Sequence, residues 1–480
     1  MAKFYITTAI PYVNAKPHIG FALELIQADV IARWRKAKGD DVWFLTGADE
    51  NSLKNVQAAE VLKKPTQVFV DEMSEDFRKL VSDLDISTDD FIRTTEVRHK
   101  TGAQKFWQML KPEDVYKKSY VGLYCVGCEQ FYLPEELVGG VCPEHKTEPE
   151  KVQEENYFFK LSSYQTQLEK LIESDQLKVV PEGRKNEILS FIKHGLDDFS
   201  ISRSVSRARG WGVAVPGDEK QVMYVWVDAL SNYITALGFA EDGDKYQEFW
   251  VNNKNTVHVI GKGIIRFHCI YWPALLMSAG LPLPKEIFVH GYITVGNEKM
   301  SKSLGNVVSP FALIEKYGTD SLRNYLLREV SAYDDGDYTE EKFRNRYQSD
   351  MQNGIGNTLT RLTNMVDQYL GGQLPRQARV KLDQSPIDDA LSRYRFDEAI
   401  NVIWGWFKNI DQAIDQHKPW ELAKKNKTAE VSKLLDVWCE MLYQAGRALE
   451  PFLPKTATLI KESLSGNKIV KINPPFPKIN

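Results

Sequence analysis

The first 62 residues alternate between two hydrophobic periods, and this alternation constrains the fold more than any other feature of the chain. A β-rich run at residues 3–9 is followed by a helical pattern at residues 18–38, with Pro17 suited to the first helical turn. A second β-rich run at 42–46 precedes a second helical pattern at 51–62. Strand, helix, strand and helix in this order predict a parallel α/β sheet with crossover connections.

Composition is that of a globular protein. The chain has 480 residues, of which 43% are hydrophobic and 26% are charged, enough for roughly two to four domains. The net charge of −4 does not indicate a nucleic-acid-binding protein, although a local basic face would suffice for one. No apolar run approaches the length of a membrane span, and the N-terminus lacks a signal-peptide pattern. Five cysteines do not make a disulfide scaffold, so a cytoplasmic location is expected.

The junction between the first strand and the first helix is a candidate phosphate site. Free amides and a positive dipole at a helix start attract phosphate groups. Here the junction contains Pro17, His18 and Gly20; an imidazole can donate to a phosphate oxygen, and a glycine lets a ring lie close to the backbone. A histidine in a first turn can also be purely structural. No GxGxxG follows the strand, which argues against a nicotinamide dehydrogenase.

A loop with two lysines and two serines lies much later in the chain. An alternating apolar run at 287–295 predicts a strand that leads into a turn at Gly296-Asn297. The sequence Lys-Met-Ser-Lys-Ser then follows at 299–303. Lysines at this spacing with short hydroxyl donors suit a polyanion such as triphosphate. The alternative is a solvated surface loop.

Four metal-ligand residues form two short knuckles. Cys125, Cys128, Cys142 and His145 follow the spacing Cys-x2-Cys-x13-Cys-x2-His. This spacing is typical of one structural zinc ion, and a filled tetrahedral shell leaves no open position for catalysis. Cys269 and Cys439 lie in apolar helical patterns and are interpreted as packing residues.

A second group of candidates could bind a small amino compound. Asp49 follows the second predicted strand and could hold an α-ammonium group, or it could cap the helix predicted from residue 51. Trp226 falls in a predicted strand at 221–227, and His268 and Trp272 share one face of a predicted helix. The rings of Trp226, Tyr233 and Trp272 could line a pocket or belong to the core.

The last third of the chain predicts a helical bundle. From residue 340 to about 464 the pattern is helical, with a Gly/Pro-bearing linker at 371–386. Asn353, Asn357 and Arg361 recur every four residues on one predicted helix, and Trp420 lies between two later helices. Such residues suit the recognition of unstacked RNA bases, and the alternative is a surface stripe with a packing tryptophan.

Taken together, these motifs resemble the methionyl-tRNA synthetases, a class I aminoacyl-tRNA synthetase family, in the form with a single zinc knuckle. The resemblance covers nearly the whole chain and rests on IPYVNAKPHIG, FLTGADE, YCVGCE, DFSISR, VWVDAL, HVIGK, FHCIYWPA, FVHGYITV, KMSKS and HKPW in this order. It implies a Rossmann-like catalytic domain at 1–115 and 221–295, split by a connective domain at 116–220 that carries the zinc knuckle. It further implies a KMSKS loop and stem-contact region at 296–345 and a helical-bundle anticodon-binding domain at 346–480.

The resemblance implies site residues at matching motif positions. The methionine pocket would comprise Ile10, Tyr12, Asp49, Trp226, Ala229, Leu230, Tyr233, Ile264, His268 and Trp272. The ATP site would comprise Pro17, His18, Gly20, Phe21, Gly261, Lys262, His290, Lys299, Ser301 and Lys302. His18, Lys299, Lys302 and Arg203 would act in catalysis, and Asn353, Asn357, Arg361 and Trp420 would contact the anticodon of tRNA(Met). Mg²⁺ is expected with ATP, and a structural Zn²⁺ at the knuckle.

The sequence departs from the family pattern at several positions. Phe21 replaces the last histidine of the HIGH motif, Gly263 stands where an aspartate is usual, and Asn51-Ser52 replaces His-Gly. Leu230 replaces a proline seen in some relatives. A non-catalytic tRNA-binding relative is one alternative, and a class I synthetase for another amino acid is a second. The C-terminal dimerisation domain of some relatives is missing, so a monomer is expected.

Overall fold

The computed structural model describes residues 1–127, 130–300 and 305–479, and for Tyr120, Gln130 and Lys299 it describes the backbone alone. The chain divides into two compact units. The first contains Met1–Pro17, Lys38–Lys79 and Thr88–Val289, and the second contains His18–Ala37, Leu80–Ser87 and His290–Asn480. The finer five-part division of the chain stays a prediction.

The strands of the described residues are numbered in chain order. They are β1 (Lys3–Thr8), β2 (Asp41–Ala48), β3 (Asp90–Arg93), β4 (Val115–Cys125), β5 (Gln130–Tyr132), β6 (Glu150–Phe159), β7 (Lys178–Val180), β8 (Phe199–Ser200), β9 (Ser202–Ser204), β10 (Ala214–Val215), β11 (Asp218–Met223), β12 (Thr256–Gly261), β13 (Glu286–His290), β14 (Ile293–Val295), β15 (Glu298–Lys299) and β16 (Gly336–Tyr338).

The α-helices are numbered in the same way. They are α1 (Ile19–Ala37), α2 (Leu53–Val61), α3 (Thr66–Asp83), α4 (Val97–Met109), α5 (Gln165–Glu173), α6 (Glu182–Lys193), α7 (Val225–Thr235), α8 (Asp244–Tyr246), α9 (Trp272–Ser278), α10 (Pro310–Tyr317), α11 (Thr319–Arg328), α12 (Glu340–Arg346), α13 (Asn357–Leu370), α14 (Ser385–Ser392), α15 (Phe396–His417), α16 (Pro419–Lys424), α17 (Thr428–Leu449) and α18 (Pro454–Leu464).

The first unit is built on a six-stranded sheet in the order β3-β2-β1-β12-β13-β7. β1 pairs in parallel with both β2 and β12, β2 pairs in parallel with β3, and β13 pairs in parallel with β7. The strand order reverses between β1 and β12, and ligands of open parallel sheets bind at the carboxyl ends of the strands at such a switch point. The predicted Rossmann-like α/β fold is therefore confirmed, and its switch point lies at β1 and β12.

A connective region is inserted between β3 and β12. It contains the four-stranded sheet β5-β4-β6-β8 and the three-stranded sheet β10-β11-β9. The long antiparallel pair β4 and β6 extends from Val115 opposite Phe159 to Tyr124 opposite Glu150, and the zinc-knuckle motif begins at the end of β4. The sequence pattern at 156–210 is mostly helical and charged, and the structure has α5 and α6 in this range together with the end of β6 and the short strands β7, β8 and β9.

Two further strand predictions need correction. The run at 221–227 ends as a strand at Met223, and α7 begins at Val225, so Trp226 lies in a first helical turn. A continuous apolar run cannot separate a buried strand from a buried helix, and α7 is buried on nearly all sides. The run at 287–295 forms two strands, β13 and β14, with Gly291 between them. The backbone passes so close to Asp334 that a Cβ at Gly291 would lie 2.2 Å from that carbonyl oxygen.

The second unit contains α1, the small sheet β15-β14-β16 and the helices from α10 onward. Arg323 on α11 is fully buried and donates to Asp29 Oδ2 on α1 at 2.7 Å. It also donates to the carbonyl oxygens of Leu84, Pro451 and Phe452. One buried guanidinium thus joins α1 to the bundle.

The helix that carries the asparagine candidates is not regular. A π-helical segment, Tyr347–Gly356, precedes α13, and Gly354 has the non-helical angles φ −84° and ψ −107°. The predicted single stripe is therefore wrong, since Asn353 lies before this kink and Asn357 and Arg361 lie after it. Among the described residues, every helix is too short or too polar to cross a membrane.

Candidate functional site

The ends of β1 and β2 lie side by side in the first unit, next to the switch point. Tyr12 follows β1 and forms an isolated parallel bridge with Asp49, which follows β2. The amide of Asp49 donates to the carbonyl oxygen of Pro11 at 2.9 Å, and Asp49 is only 2% exposed. A buried carboxylate at this edge is favoured only when a cationic or hydrogen-bonding partner compensates it.

Asp49 is not the cap of the following helix. Ser52 is the N-cap of α2, since its hydroxyl oxygen accepts from the amide of Lys54 at 3.0 Å. Asp49 Oδ1 accepts from the amide of Asn51 at 3.1 Å, within the turn that precedes the helix. The capping alternative was therefore wrong, and the Asp49 carboxylate is positioned by its turn.

Aromatic rings form a wall next to this turn. The ring centroid of Trp226 lies 6.4 Å from that of Tyr12 and 6.4 Å from that of His268. The Tyr233 ring lies 6.1 Å from the Trp272 ring. The same hydrophobic cluster contains the remaining predicted pocket residues with apolar side chains: Ile10, Leu230 and Ile264. Ala229 lies buried on α7 between Trp226 and Tyr233. The structure thus brings the predicted methionine-pocket residues together.

His268 has a defined protonation state in this wall. Its Nδ1 lies 2.9 Å from the carbonyl oxygen of Ile264, which can only accept, so Nδ1 carries the proton. Nε2 then accepts from the hydroxyl of Tyr233 at 2.7 Å. Burial lowers the pKa of His268 from 6.5 to about 4, so the ring is neutral at physiological pH.

A second buried histidine supports the ring of Tyr233. His258 on β12 stacks on that ring at a centroid distance of 4.0 Å, and its Nδ1 lies 2.7 Å from Thr7 Oγ1. Burial lowers the pKa of His258 well below its ordinary value, and the nearby His268 lowers it further. The Tyr233 ring therefore contacts His258 of the sheet as well as His268.

Four polar residues anchor α7 through contacts that sequence reasoning missed. Asp228 on α7 accepts from the side-chain amide of Asn51 at 2.7 Å and lies 2.6 Å from His99 Nε2. The other ring nitrogen of His99 lies 2.8 Å from Thr235 Oγ1. No motif marks His99 in the sequence. Asn51, noted only as a departure, links the Asp49 turn directly to α7.

Gly47 lies in β2, two residues before Asp49, where its backbone is close to that of Ile92. A Cβ on Gly47 would lie 2.2 Å from the carbonyl oxygen of Ile92 and 3.0 Å from the side chain of Ile10. Real Cβ atoms do not approach a carbonyl oxygen this closely. Backbone therefore contacts backbone at this point, and only glycine fits.

At the start of α1 in the second unit, the first four amides already donate to acceptors within the protein, so they are not the free amides expected from the sequence. The amide of Gly20 donates to His18 Nδ1 at 3.0 Å, so a neutral His18 ring carries its proton on Nε2, where it can donate. A Cβ on Gly20 would lie 2.8 Å from His18 Cε1 and 3.7 Å from Met300 Cε. The amide of Ile19 donates to the carbonyl oxygen of Val308 at 3.2 Å. The described flanks of the KMSKS loop therefore lie next to the HIG motif.

The remaining loop candidates fall partly outside the described residues. Ser301 and Lys302 lie outside them, and only the backbone of Lys299 lies within them. The two-residue turn before the loop, Gly296-Asn297, has positive φ at both residues, as a tight hairpin between β14 and β15 requires. The turn prediction is confirmed.

His290 and Glu24 form a buried pair in the second unit. The ring nitrogens of His290 lie 2.7 Å from the carbonyl oxygen of Gly291 and 3.0 Å from Glu24 Oε2. Phe21 is buried one turn before Glu24 on α1.

Three of the four predicted zinc ligands converge. His145 Nδ1 lies 4.0 Å from Cys125 Sγ and 3.9 Å from Cys142 Sγ, and Cys128 lies outside the described residues. A tetrahedral zinc ion with bonds of about 2.3 Å to sulfur and about 2.1 Å to nitrogen separates such atoms by roughly 3.6 Å. The two thiols and the imidazole therefore fit one zinc ion. Cys269 and Cys439 are buried, and burial raises the pKa of both thiols.

Two of the four candidate anticodon residues, Arg361 and Trp420, lie close together. The Arg361 guanidinium carbon lies 5.7 Å from the Trp420 ring centroid, and the guanidinium pairs with Asp415. Asn357 is exposed at the first residue of α13, one turn before Arg361. Asn353 is exposed on the other side of the kink.

The remaining ATP-site and catalytic candidates belong to the first unit. Gly261 ends β12, and Lys262 begins the 3-10 turn that contains Ile264. Pro17 is buried and precedes α1. Arg203 on β9 is 7% exposed and donates through Nη1 to the carbonyl oxygen of Ser202 at 2.7 Å.

Comparison with known proteins identifies the family. The model of the tRNA synthetases class I (M) matches residues 4–152 and 145–363. A methionine--tRNA ligase of Fusobacterium nucleatum is 39% identical over 99% of this chain and 80% of its own length, and one of Brucella suis is 42% identical over 96% and 92%. A methionyl-tRNA synthetase of Mycobacterium tuberculosis, solved in complex with methionyl-adenylate, is 36% identical, with a TM-score of 0.92 and 100% of each chain covered. The chain therefore belongs to the class I (M) family of tRNA synthetases, the methionine--tRNA ligases.

Proposed function

We propose that this protein activates L-methionine with ATP and transfers it to tRNA(Met). The observation that carries the proposal is the cluster at the end of β1, where the buried Asp49 is bridged to Tyr12 and the Tyr12 ring lies 6.4 Å from that of Trp226. A carboxylate suits the α-ammonium group of an amino acid, and rings suit a polarizable thioether.

The pocket would select methionine because the aromatic wall of Tyr12, Trp226, Tyr233, His268 and Trp272 carries no charge. His268 is neutral and its Nε2 already accepts a hydrogen bond from Tyr233, so neither group presents a charge to the side chain of the substrate. A charged or strongly polar side chain would lose its hydration there without compensation. Ile10, Ala229, Leu230, Ile264 and Trp272 would complete the apolar surface.

The first step needs positioning more than acid–base chemistry. A carboxylate oxygen of methionine attacks the α-phosphorus of ATP, and the bond from that phosphorus to the bridging oxygen of pyrophosphate breaks. The attacking carboxylate is already ionised, so no general base is required. Nε2–H of His18 would donate to a phosphate oxygen, and Gly20 lets the nucleotide approach α1.

The KMSKS loop would stabilise the negative charge on the departing pyrophosphate. Lys299, Ser301 and Lys302 would bind the β- and γ-phosphates, and Mg²⁺ bound with ATP would supply further positive charge. Pro17, Phe21, Gly261, Lys262 and His290 would line the nucleotide site, and Arg203 would act in catalysis.

The second step forms the ester with tRNA. As the class I resemblance implies, the 2′-OH of the terminal adenosine attacks the carbonyl carbon of the adenylate, AMP leaves, and the hydroxyl proton passes to the released phosphate or to solvent. Asn353, Asn357, Arg361 and Trp420 would contact the anticodon. Cys125, Cys128, Cys142 and His145 would hold a structural zinc ion that orders the connective region. The expected cytoplasmic location stays a prediction of the sequence.

Methionine-dependent exchange between ATP and pyrophosphate tests the activity. Exchange should occur with methionine and not with cysteine, isoleucine, valine or leucine. Lys302→Ala should lower the exchange rate about 100-fold, the scale of losing one charge-stabilising donor. Lys316→Ala is the matched control, since it removes an exposed lysine of α10 that pairs with Glu340 of α12. Absence of exchange with every amino acid would favour the non-catalytic tRNA-binding relative, which Phe21 and Gly263 suggest.

A further inference from the structure

Asn51 joins the two halves of the proposed methionine pocket. The carboxylate of Asp49, which would take the ammonium group, belongs to the turn after β2, whereas Trp226 and Tyr233 of the aromatic wall belong to α7. An amino acid bound in the pocket has to contact both halves at once. The separation between this turn and α7 therefore decides which length of side chain fits.

The backbone and the side chain of Asn51 contact different halves. Its amide donates to Asp49 Oδ1 at 3.1 Å, which holds the carboxylate within the turn. Its side-chain Nδ2 donates to Asp228 Oδ2 on α7 at 2.7 Å and to the carbonyl oxygen of Thr94 at 3.0 Å. Asn51 is 7% exposed, so these hydrogen bonds lie away from bulk water, where an acceptor that loses its donor is costly.

Thr94 fixes the turn to the edge of β3. It is fully buried, and its amide donates to the carbonyl oxygen of Ala48 at 3.2 Å. Its hydroxyl oxygen accepts from the amide of Glu50 at 2.9 Å. The position of the turn relative to β3 is therefore set by the backbone, and the side chain of Asn51 links that position to α7.

The other side of Asp228 is held by α4. Asp228 Oδ1 lies 2.6 Å from His99 Nε2, and both side chains are almost completely buried. The two helices are in direct contact one turn later, since a Cβ on Gly102 would lie 2.5 Å from Thr235 Cγ2. The Asp228 carboxylate therefore cannot turn away from Asn51 without losing its contact with His99.

We propose that Asn51 is a positioning residue that sets the separation between the Asp49 carboxylate and the aromatic wall, and thereby the length of side chain that the enzyme selects. The inference rests on the proposed function, which places the two ends of methionine at these two groups. Asn51 stands where the family pattern has histidine, so the pattern assigns no role to this amide. A shift of α7 relative to the turn would move the wall and leave the ammonium site in place.

Asn51→Ala tests the assignment because it removes the contact with α7 and keeps the backbone amide that donates to Asp49. In the exchange assay, the wild type should prefer methionine over S-methylcysteine, which is one methylene shorter, and over ethionine, which is one methylene longer, by roughly 10- to 200-fold in kcat/KM. We expect Asn51→Ala to raise KM for methionine about tenfold and to lower both preferences about tenfold, while kcat for methionine changes little.

Asn255→Ala is the matched control. Its Nδ2 also donates to a backbone carbonyl oxygen of the first unit, that of Lys3 at 3.0 Å, but Asn255 precedes β12 and lies at the strand end opposite the pocket. This variant should lower the unfolding temperature and leave both preferences at the wild-type value. A loss of kcat/KM in Asn51→Ala that is equal for all three substrates would overturn the proposal in favour of a purely structural role.

The double variant Asn51→Asp/Asp228→Asn exchanges donor and acceptor. It keeps one amide opposite one carboxylate, whereas Asp228→Asn alone places two amides opposite each other. We expect the double variant to recover most of the preference for methionine that Asp228→Asn loses, although the Thr94 carbonyl remains without its donor. A folded double variant with no recovery would overturn the proposal, whereas absence of exchange in the wild type would instead refute the proposed function.

Discussion

The hydroxyl of Tyr233 donates to Nε2 of His268 at 2.7 Å, and both side chains are almost fully buried. Because the opposite nitrogen of His268 donates to the carbonyl oxygen of Ile264, the hydrogen bond from Tyr233 has only one direction. The proposed methionine pocket therefore contains an imidazole that is neutral, fixed in tautomer and already satisfied at both nitrogens.

Tyr233→Phe should weaken methionine binding more than it slows chemistry. Removal of the hydroxyl leaves Nε2 of His268 buried without a donor, at a cost of about 1–3 kcal/mol. A water molecule or a polar substrate could then satisfy Nε2, so we expect KM for methionine to rise about tenfold while kcat in the exchange assay changes little. A fall in kcat at unchanged KM would contradict this prediction.

Stability should decrease as the pH falls from about 6.5 to about 4. His268 has a pKa of about 4 when folded and about 6.5 when unfolded, so the unfolded chain binds the proton first. The stabilisation from the neutral ring is complete above pH 6.5 and is lost as the pH falls through 4, a change of roughly 3 kcal/mol. The lowered pKa of His258 adds a loss of the same sign. Thermal unfolding of the wild type and of His268→Gln at several pH values measures it, and equal slopes would refute the contribution of His268.

Arg323→Met should destabilise the second unit by about 3–5 kcal/mol, because it leaves Asp29 buried with one fewer cation. Asp29 retains a hydrogen bond from Arg33 Nε at 2.9 Å, so the lower end of that range is expected. The double variant Asp29→Asn/Arg323→Met should recover part of the loss. Arg447→Met, on an exposed position of α17, is the control, and unfolding midpoints in urea compare the three. A single variant as stable as the control would be inconsistent with the buried pair.

Zinc content should depend on the knuckle cysteines. We expect about one zinc ion per chain by elemental analysis in the wild type and loss of that ion in Cys142→Ser, since thiolates provide the principal bonds. Cys439→Ser, at a buried cysteine on α17, should retain the metal. A chelator should lower the unfolding temperature of the wild type and not that of Cys142→Ser. Zinc retained after substitution of both Cys125 and Cys142 would exclude the site.

Trp420→Ala should separate the two steps of the reaction. Loss of a stacking ring costs about 1–3 kcal/mol per base, so kcat/KM for tRNA should fall about tenfold or more while methionine-dependent exchange is unchanged. Arg361→Gln should act in the same direction because its guanidinium lies over the same ring. Equal loss of exchange and charging after Trp420→Ala would mean that Trp420 is a packing residue.

Much of the fold was predictable where a hydrophobic period was strong and local. β1, α1, β2 and α2 begin and end within two residues of their predictions, since each alternates or repeats cleanly. The start of α7 was not predictable in this way. Its first three residues are all apolar, because the helix is buried on nearly all sides.

The candidate site was predictable where single residues carry the chemistry. Asp49, His268 and Trp272 could be named from motifs, but the anchor of α7 could not. Asn51 and Asp228 are 177 positions apart, and Asp228 and His99 are 129 apart, so only the folded chain brings them together. The kink at Gly354 was not predicted, because the regular four-residue spacing of Asn353, Asn357 and Arg361 gives no sign of a change in backbone direction.

Gly47 has a consequence for inhibitors of this protein. Resistance to a pocket-directed compound commonly arises when a side chain under the compound is exchanged for a larger one. At Gly47 that route is closed, because the first carbon of any side chain would lie 2.2 Å from the carbonyl oxygen of Ile92. A compound whose affinity depends on the backbone at this position would face a target that substitution cannot alter without displacing β3.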